Sequence, residues 1–284
     1  MQKTNLGNTG LEISKVVFGG IIVMNETSED SARYVEYAIN KGVNYFDVAP
    51  SYGDAESMLG PALAPYRKDV YLACKSMERC SEKIKAELDR SLKLLQTDHF
   101  DVYQLHALAT QEDLDLVFGK GGALEVLLKA KEEGIIRNIG FSAHNEDIAI
   151  QAMAYYDFKT ALFPVNWALL LQKKFGRRLL SICKYKNMGI LAMKSLIERN
   201  WRSEEENKRY PKSWCKPIYD EEWAVAALKY ALATGADTLV PPGNFENFKF
   251  VVERIDELLS NPLNDQDLAL LQGKLAQVEG ELIF

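Results

Sequence analysis

One recurrence constrains this chain more than any other feature. Eight short runs rich in β-branched and aromatic residues follow one another: Lys15–Phe18, Val43–Asp47, Val70–Ala73, Phe100–Gln104, Arg137–Phe141, Ala161–Val165, Gly189–Met193 and Asp237–Val240. Their starts fall near residues 16, 43, 70, 100, 136, 161, 189 and 237. Most intervals are therefore close to 30 residues, which is what a strand plus a crossover helix requires before a parallel partner can be added. The segments between the runs have helical spacing. Ser31–Asn40 carries Tyr34, Val35, Ala38 and Ile39 on one face, and Ser81, read as an N-cap, precedes Ile84, Leu88, Leu92 and Leu95. Lys41-Gly42 and Glu133-Gly134 supply helix ends just before the second and fifth runs. With no composition break or linker, eight such units predict an α/β fold, a closed (β/α)8 barrel over residues 1–284 as a single domain. A doubly wound sheet competes, but it wants GxGxxG after the first strand, and Phe18-Gly19-Gly20-Ile21-Ile22 lacks the third glycine.

Two additions frame the repeat. Gly7-Asn8-Thr9-Gly10, between Thr4–Leu6 and Leu11–Ser14, predicts a β-hairpin that plugs one end, and Asp265–Gln277 predicts an extra C-terminal helix. The one large excess in spacing falls at Ile197–Asp220, a polar stretch holding Trp201, Tyr210 and Trp214, which reads as a long loop and a candidate lid.

Composition excludes several classes of function. A net charge of −6 argues against nucleic acid as a partner, since a backbone-binding protein needs a basic face. Cys74, Cys80, Cys183 and Cys215 form no CxxC pair and have no ligand spacing, so neither a metal site nor an iron–sulfur cluster is expected, and a reducing cytoplasm is the natural setting. Met1-Gln2-Lys3-Thr4-Asn5 opens no signal peptide, and no run of about 18 apolar residues predicts a membrane span.

In a barrel of this kind chemistry gathers where the strands end. Three successive runs end in Asp47, Lys75 and His106, and Tyr52 follows Asp47 in the next loop. Singly, each has a structural explanation: a helix cap, a solvated strand end, a satisfied core histidine. Together they make a proton donor suited to carbonyl reduction. A tyrosine is a poor acid at neutral pH, but a neighbouring ammonium favours its phenolate, Asp47 holds that ammonium, and His106 can donate to a carbonyl oxygen.

On these residues the sequence resembles the aldo-keto reductase family. Asn44-Tyr45-Phe46-Asp47-Val48-Ala49-Pro50-Ser51-Tyr52-Gly53 looks like its aspartate segment, with Val48 in place of the common Thr, while Leu72-Ala73-Cys74-Lys75 and Tyr103-Gln104-Leu105-His106 match the lysine and histidine segments. The resemblance implies an NAD(P)H-dependent oxidoreductase that reduces an aldehyde or ketone, with Tyr52 as general acid, Asp47 and Lys75 tuning it, and His106 orienting the carbonyl. It also implies cofactor contacts at Gly20 and Ile21, at Ser142 of Gly140-Phe141-Ser142-Ala143-His144, at Asn166, at Met193-Lys194-Ser195-Leu196 and at Pro242-Gly243-Asn244. Ala143 stands where the family often has asparagine. A helix beginning at Phe245 would offer free N–H groups to a phosphate. NADP(H) is favoured over NAD(H), by a modest margin: Lys249 falls where a basic residue often meets the 2′-phosphate, no arginine accompanies it, and Glu246 opposes it.

Trp167, Trp201 and Trp214 are candidates for the substrate pocket, each weighed against packing or a solvated loop. His99, on the far side of the barrel, reads as structural; His144 reads as a helix-start residue more than a chemical one; Cys74 alternates with Lys75 and should face the packing. Two other functions remain open at this level. A Lys75 Schiff-base lyase could use the same barrel, and a nicotinamide-binding, redox-sensing subunit could keep the site with little turnover. Oligomeric state and physiological substrate are not legible.

Overall fold

A computed structural model describes residues 1–208, 210 and 212–284. β1 (Lys3–Asn5) and β2 (Glu12–Ser14) form the expected hairpin, with Thr4 opposite Ile13. Strand and helix then alternate: β3 (Phe18–Gly19), α1 (Ser28–Asn40), β4 (Tyr45–Asp47), α2 (Ala55–Leu63), β5 (Tyr71–Ser76), α3 (Ser81–Leu94), β6 (Phe100–Leu108), α4 (Gln111–Phe118), α5 (Ala123–Glu132), β7 (Ile136–Ala143), α6 (Glu146–Tyr155), β8 (Thr160–Pro164), α7 (Arg177–Tyr185) and β9 (Gly189–Met193). The small pair β10 (Ile197–Arg199) and β11 (Lys216–Pro217) encloses the short helix α8 (Glu204–Asn207), and α9 (Glu221–Ala233), β12 (Thr238–Val240), α10 (Phe245–Ser260) and α11 (Asp265–Lys274) complete the chain.

The eight strands β3 to β9 and β12 pair in parallel, each beside its neighbour in sequence. Val16 bridges Leu239 in parallel, the Val17 amide donates to the Leu239 carbonyl at 2.9 Å, and Leu239 donates to Lys15 O at 3.0 Å. These bonds join the first strand to the last, so the sheet is a (β/α)8 barrel. A doubly wound sheet would instead reverse its strand order at a switch point.

Alternation along the strands divides the core in two. Tyr45, Ala73, Val102, Leu162 and Leu191 fill the barrel, and Leu6, Leu11 and Ile13 of the hairpin close it from below. The hairpin seats tightly because Gly7 takes φ +49°: a Cβ there would lie 2.2 Å from the Gly189 amide. Phe46, Leu72, Cys74, Tyr103, Phe141 and Phe163 face outward beneath the helices.

Element ends differ from the sequence reading in informative places. Helix α1 begins before Ser31, because the Thr27 side chain accepts from the Asp30 amide and caps it. Ser81 does not cap α3; it is the first helical residue, and its hydroxyl donates to Gly121 O at 2.6 Å. Strand β6 runs past His106 to Leu108 through an irregularity in its pairing with β7. Helix α11 ends at Lys274, where a single 3-10 turn, Leu275–Gln277, continues it.

Candidate active site

Pairing register places the polar layer. Asp47 lies opposite Ala73, and Lys75 opposite Gln104, so Asp47, Lys75 and Gln104 stand side by side at the upper end of the barrel interior. The Lys75 ammonium donates to Asp47 Oδ2 and, at 3.3 Å, to Val48 O. Gln104 Nε2 donates to the other Asp47 oxygen at 3.0 Å. Above them, Lys75 Nζ lies 4.8 Å from the centre of the Tyr52 ring, and the His106 ring meets Tyr52 edge-on at 6.1 Å. The structure therefore brings all four expected residues together, drawn from two strand ends, a third strand and one loop.

Electrostatics fixes their protonation. Burial alone would lower the Lys75 pKa, but Asp47 and Tyr52 overcome it and raise it, so the ammonium keeps its charge. For Tyr52 the net direction is upward. Burial outweighs Lys75, which pulls the pKa down as expected, while Asp47 pushes it up. Tyr52 thus holds its proton at neutral pH, which a general acid must do. Burial and then Lys75 depress His106 to about 2, so its ring is neutral. A neutral imidazole still has one N–H to donate.

Two adjoining hollows share Tyr52, Leu162, Met193, Lys194 and Trp214. The first runs from Gly19 and Ile21 past Ser213 to Pro242 and Gly243. The second, about 470 Å³, is lined on one side by Ser51, His106, Ser142 and His144 and on the other by Trp214, Cys215 and Phe284. A separate hollow between Leu196, Tyr219 and helix α10 contains Glu246, Asn247, Lys249 and Glu253.

Of the expected cofactor residues, Ile21, Met193, Lys194, Pro242 and Gly243 line the first hollow, Ser142 the second, and Leu196 and Lys249 the third. Gly20 does not reach them, since it packs on Val48, whose Cβ a side chain there would meet at 2.7 Å; Gly19 lines the hollow instead. Asn166 is committed elsewhere. Its amide donates to Lys194 O and Ile197 O, and its oxygen accepts from Ala168 and Leu169, which exhausts its donors. The Asn244 side chain accepts from Asn247 N and caps α10. The Ser195 hydroxyl is buried without a partner among the described residues.

The tryptophans separate. Trp214 lies 5.6 Å from Tyr52 and faces both hollows. Trp167 corrects the expectation: it is fully buried, its ring packs on Trp223 at 5.4 Å and its N–H donates to Ile197 O. Trp201 stacks on Tyr210 and donates to Ser213 O at 2.8 Å, bracing the loop rather than lining it. His144 faces the second hollow, and Asn145, not His144, caps α6. Burial, then Lys194, lowers its pKa to about 4. The stretch Ile197–Asp220 crosses the open end, where Lys212 binds Glu26 and, at 2.8 Å, Ile22 O. Arg209 and Pro211 of this stretch lie outside the described residues.

The glycines and the unpartnered polar atoms suit an extended dinucleotide. A Cβ on Gly243 would meet Lys212 O at 2.2 Å, so glycine lets the Lys212 backbone pack directly on it at the edge of the first hollow, and Asn247 Nδ2 is buried without a partner among the described residues beside Lys249. Among the described residues no group of three or more His, Cys, Asp or Glu side chains is placed to hold a metal, and no helix is long and apolar enough to cross a membrane. A profile of the Aldo/keto reductase family matches residues 15–274. The chain belongs to that family. It is 31% identical to the uncharacterized oxidoreductase YqkF of Bacillus subtilis over 50% of its own length and 49% of that protein. It is 33% identical to the L-galactose dehydrogenase of Arabidopsis thaliana over 50% of its length and 49% of that enzyme. The chain thus spans about half the length of these curated relatives. The holo form of the aldo-keto reductase AKR11C1 from Bacillus halodurans shares the fold, with a TM-score of 0.73, 20% identity, and 96% of each chain covered.

Gln104 and Arg79 were missed in the sequence. Gln104 sits two residues before His106 and therefore on the same face of the strand, a signal that the period of two contains. Arg79 has no such signal, because its partners, Asp113 and the carbonyls of His106 and Ala107, lie 27 to 34 residues away and meet it only in the folded barrel.

Proposed function

We propose that this chain, acting as one barrel over residues 1–284, reduces an aldehyde or ketone to the alcohol with a nicotinamide dinucleotide. The observation that carries this reading is the Asp47–Lys75–Tyr52–His106 cluster opening on a channel bordered by Ile21, Met193, Lys194, Pro242 and Gly243. When bound there, the nicotinamide supplies the hydride. Tyr52 gives its proton to the carbonyl oxygen, and Lys75 steadies the phenolate that remains. Asp47 keeps Lys75 charged, Gln104 keeps Asp47 in place, and His106 donates to the same oxygen. Ser142 retains a hydroxyl proton for the nicotinamide amide while accepting from the Ala107 amide at 2.8 Å.

Lys249 is assigned to the adenosine 2′-phosphate, with NADP(H) preferred and NAD(H) used less well. Trp214 is assigned to the substrate pocket. The partner is a small carbonyl compound, neither nucleic acid nor membrane, and four free cysteines suit a cytoplasmic setting. A lyase reading is disfavoured because Lys75 is fully buried and held as an ammonium by Asp47, whereas a Schiff base needs a free amine. A panel of aldehydes, ketones and quinones, followed by oxidation of NADPH and NADH, tests the proposal. Turnover of one carbonyl class, lost in Tyr52→Phe, is expected; tight cofactor binding without turnover on any of them would move the chain to the sensor class.

A further inference from the structure

The His106 strand ends in an irregularity that nothing in the catalytic cluster explains. Pairing between β6 and β7 shifts between Leu105 and Leu108, and Ala107 takes φ +54°, a region that residues with side chains seldom occupy. Bulges of this kind re-aim a neighbouring side chain, and they persist only where the surroundings hold them. Here the surroundings are specific. Arg79, from the loop that follows Lys75, donates from one terminal nitrogen to His106 O at 2.8 Å and to Ala107 O at 3.2 Å. Its Nε is anchored by Asp113 Oδ1 at 2.7 Å. Asp113 is itself fixed, since its other oxygen accepts from the Ala109 and Thr110 amides in the capping box of α4. On the opposite side the Ala107 amide donates to Ser142 Oγ. Both faces of the bulge are thus held, one by a guanidinium on two carbonyls and the other by a cavity-lining hydroxyl.

We propose that Arg79 is a positioning residue for His106, setting where the imidazole stands over Tyr52 by gripping the bulge at Ala107. This rests on the reading of His106 as the residue that orients the carbonyl. The His106 ring has no other constraint of comparable strength, for its Nδ1 is buried without a partner among the described residues. A planar fork anchored on a carboxylate can hold two adjacent carbonyls at once, a task for which a lysine has the charge but not the shape.

The test combines Arg79→Met with His106→Ala, with kcat/KM for carbonyl reduction measured in all four proteins and the His106 ring followed by nitrogen-15 NMR. Arg79→Met is expected to lower kcat/KM roughly 10- to 100-fold in the parent, the scale of a misplacement near 1 Å, and by less than about twofold when His106 is already absent. The His106 resonances should shift while cofactor affinity changes little. Equal losses in both backgrounds, or no loss in the parent, would overturn the proposal. If His106→Ala alone leaves kcat/KM unchanged, the catalytic reading of His106 fails, and the ring resonances then decide the role of Arg79: unmoved by Arg79→Met, they overturn it. Should Arg79→Met fail to fold, Arg79→Lys and Asp113→Asn weaken the same grip and are read by the same cycle.

Discussion

At the scale of single residues, the site depends on a buried charge pair that is useful only while both members are present. Lys75 is fully buried and Asp47 nearly so. Lys75→Met should therefore abolish turnover and also destabilise the fold by roughly 3–5 kcal/mol, because it strands the Asp47 carboxylate. Treatment with borohydride and substrate should leave no adduct on Lys75 in the parent, and mass spectrometry would show one if the lysine were a nucleophile. On the proposed mechanism Tyr52→Phe removes the proton donor of the transition state, so kcat should fall at least ~100-fold with cofactor affinity unchanged. Near-normal turnover would pass the acid role to His106. Asp47, Lys75 and His106 were legible in sequence because each ends a β-run and the barrel brings strand ends together. The direction of the Tyr52 shift was not, since it depends on how deeply the ring is buried, a property of the packed barrel. Trp167 misled for the same reason: proximity to a strand end does not say which way an indole turns.

At the scale of elements, the strands were far easier to read than the pieces that cover the site. Gly189–Met193 was placed to the residue, because a continuous apolar run bounded by Gly has few alternatives. The end of β6 was not, since the bulge at Ala107 is held by Arg79 and Ser142 from other elements. Nor was the path of Ile197–Asp220, which is tied down by Lys212 on Glu26, a contact 186 residues away in sequence. If this loop closes over the cofactor, Lys212→Ala should speed cofactor dissociation several-fold with little effect on the chemical step, as stopped-flow release would show. Helix α10 carries the remaining expectation. Lys249 lies in one hollow with Glu246 and Glu253, the latter held by the Tyr37 hydroxyl at 3.0 Å, while Arg254 is engaged by Glu221. If Lys249 meets the 2′-phosphate as proposed, one partly exposed lysine against two carboxylates should supply on the order of 1 kcal/mol, an expected five- to tenfold preference for NADPH. Lys249→Ala should erase most of it and leave NADH kinetics alone; an unchanged ratio of kcat/KM values would remove Lys249 from the phosphate site.

At the scale of the whole molecule, the same open end that serves chemistry sets how stability responds to acid. His106 and His144 both face the second hollow, and their pKa values are depressed to about 2 and about 4, by burial first and then by Lys75 and Lys194 respectively. In the unfolded chain an imidazole titrates near 6.5. Between these values the unfolded chain binds protons that the folded one refuses, so stability falls as the pH falls. The contribution is complete above about pH 6.5; that of His144 is lost as the pH falls to about 4, and that of His106 continues to be lost to about 2. Lowering the pH from 7 to 5 should cost roughly 2 kcal/mol from the pair, about half the ideal linkage value, because both rings open on a cavity. Glu56 and Asp237, raised by burial, act with the opposite sign, so the comparison must be made between variants and parent. His144→Gln should remove about half of the pair's contribution, roughly 1 kcal/mol of the change in unfolding free energy between pH 7 and 5 when variant and parent are compared. Activity should behave differently: with His106 neutral and Tyr52 protonated throughout, kcat/KM for carbonyl reduction should stay level from pH 5 to 9. A limb near pH 6.5 would mean that His106 takes up a proton in the working enzyme and that the cavity is wetter than its geometry implies.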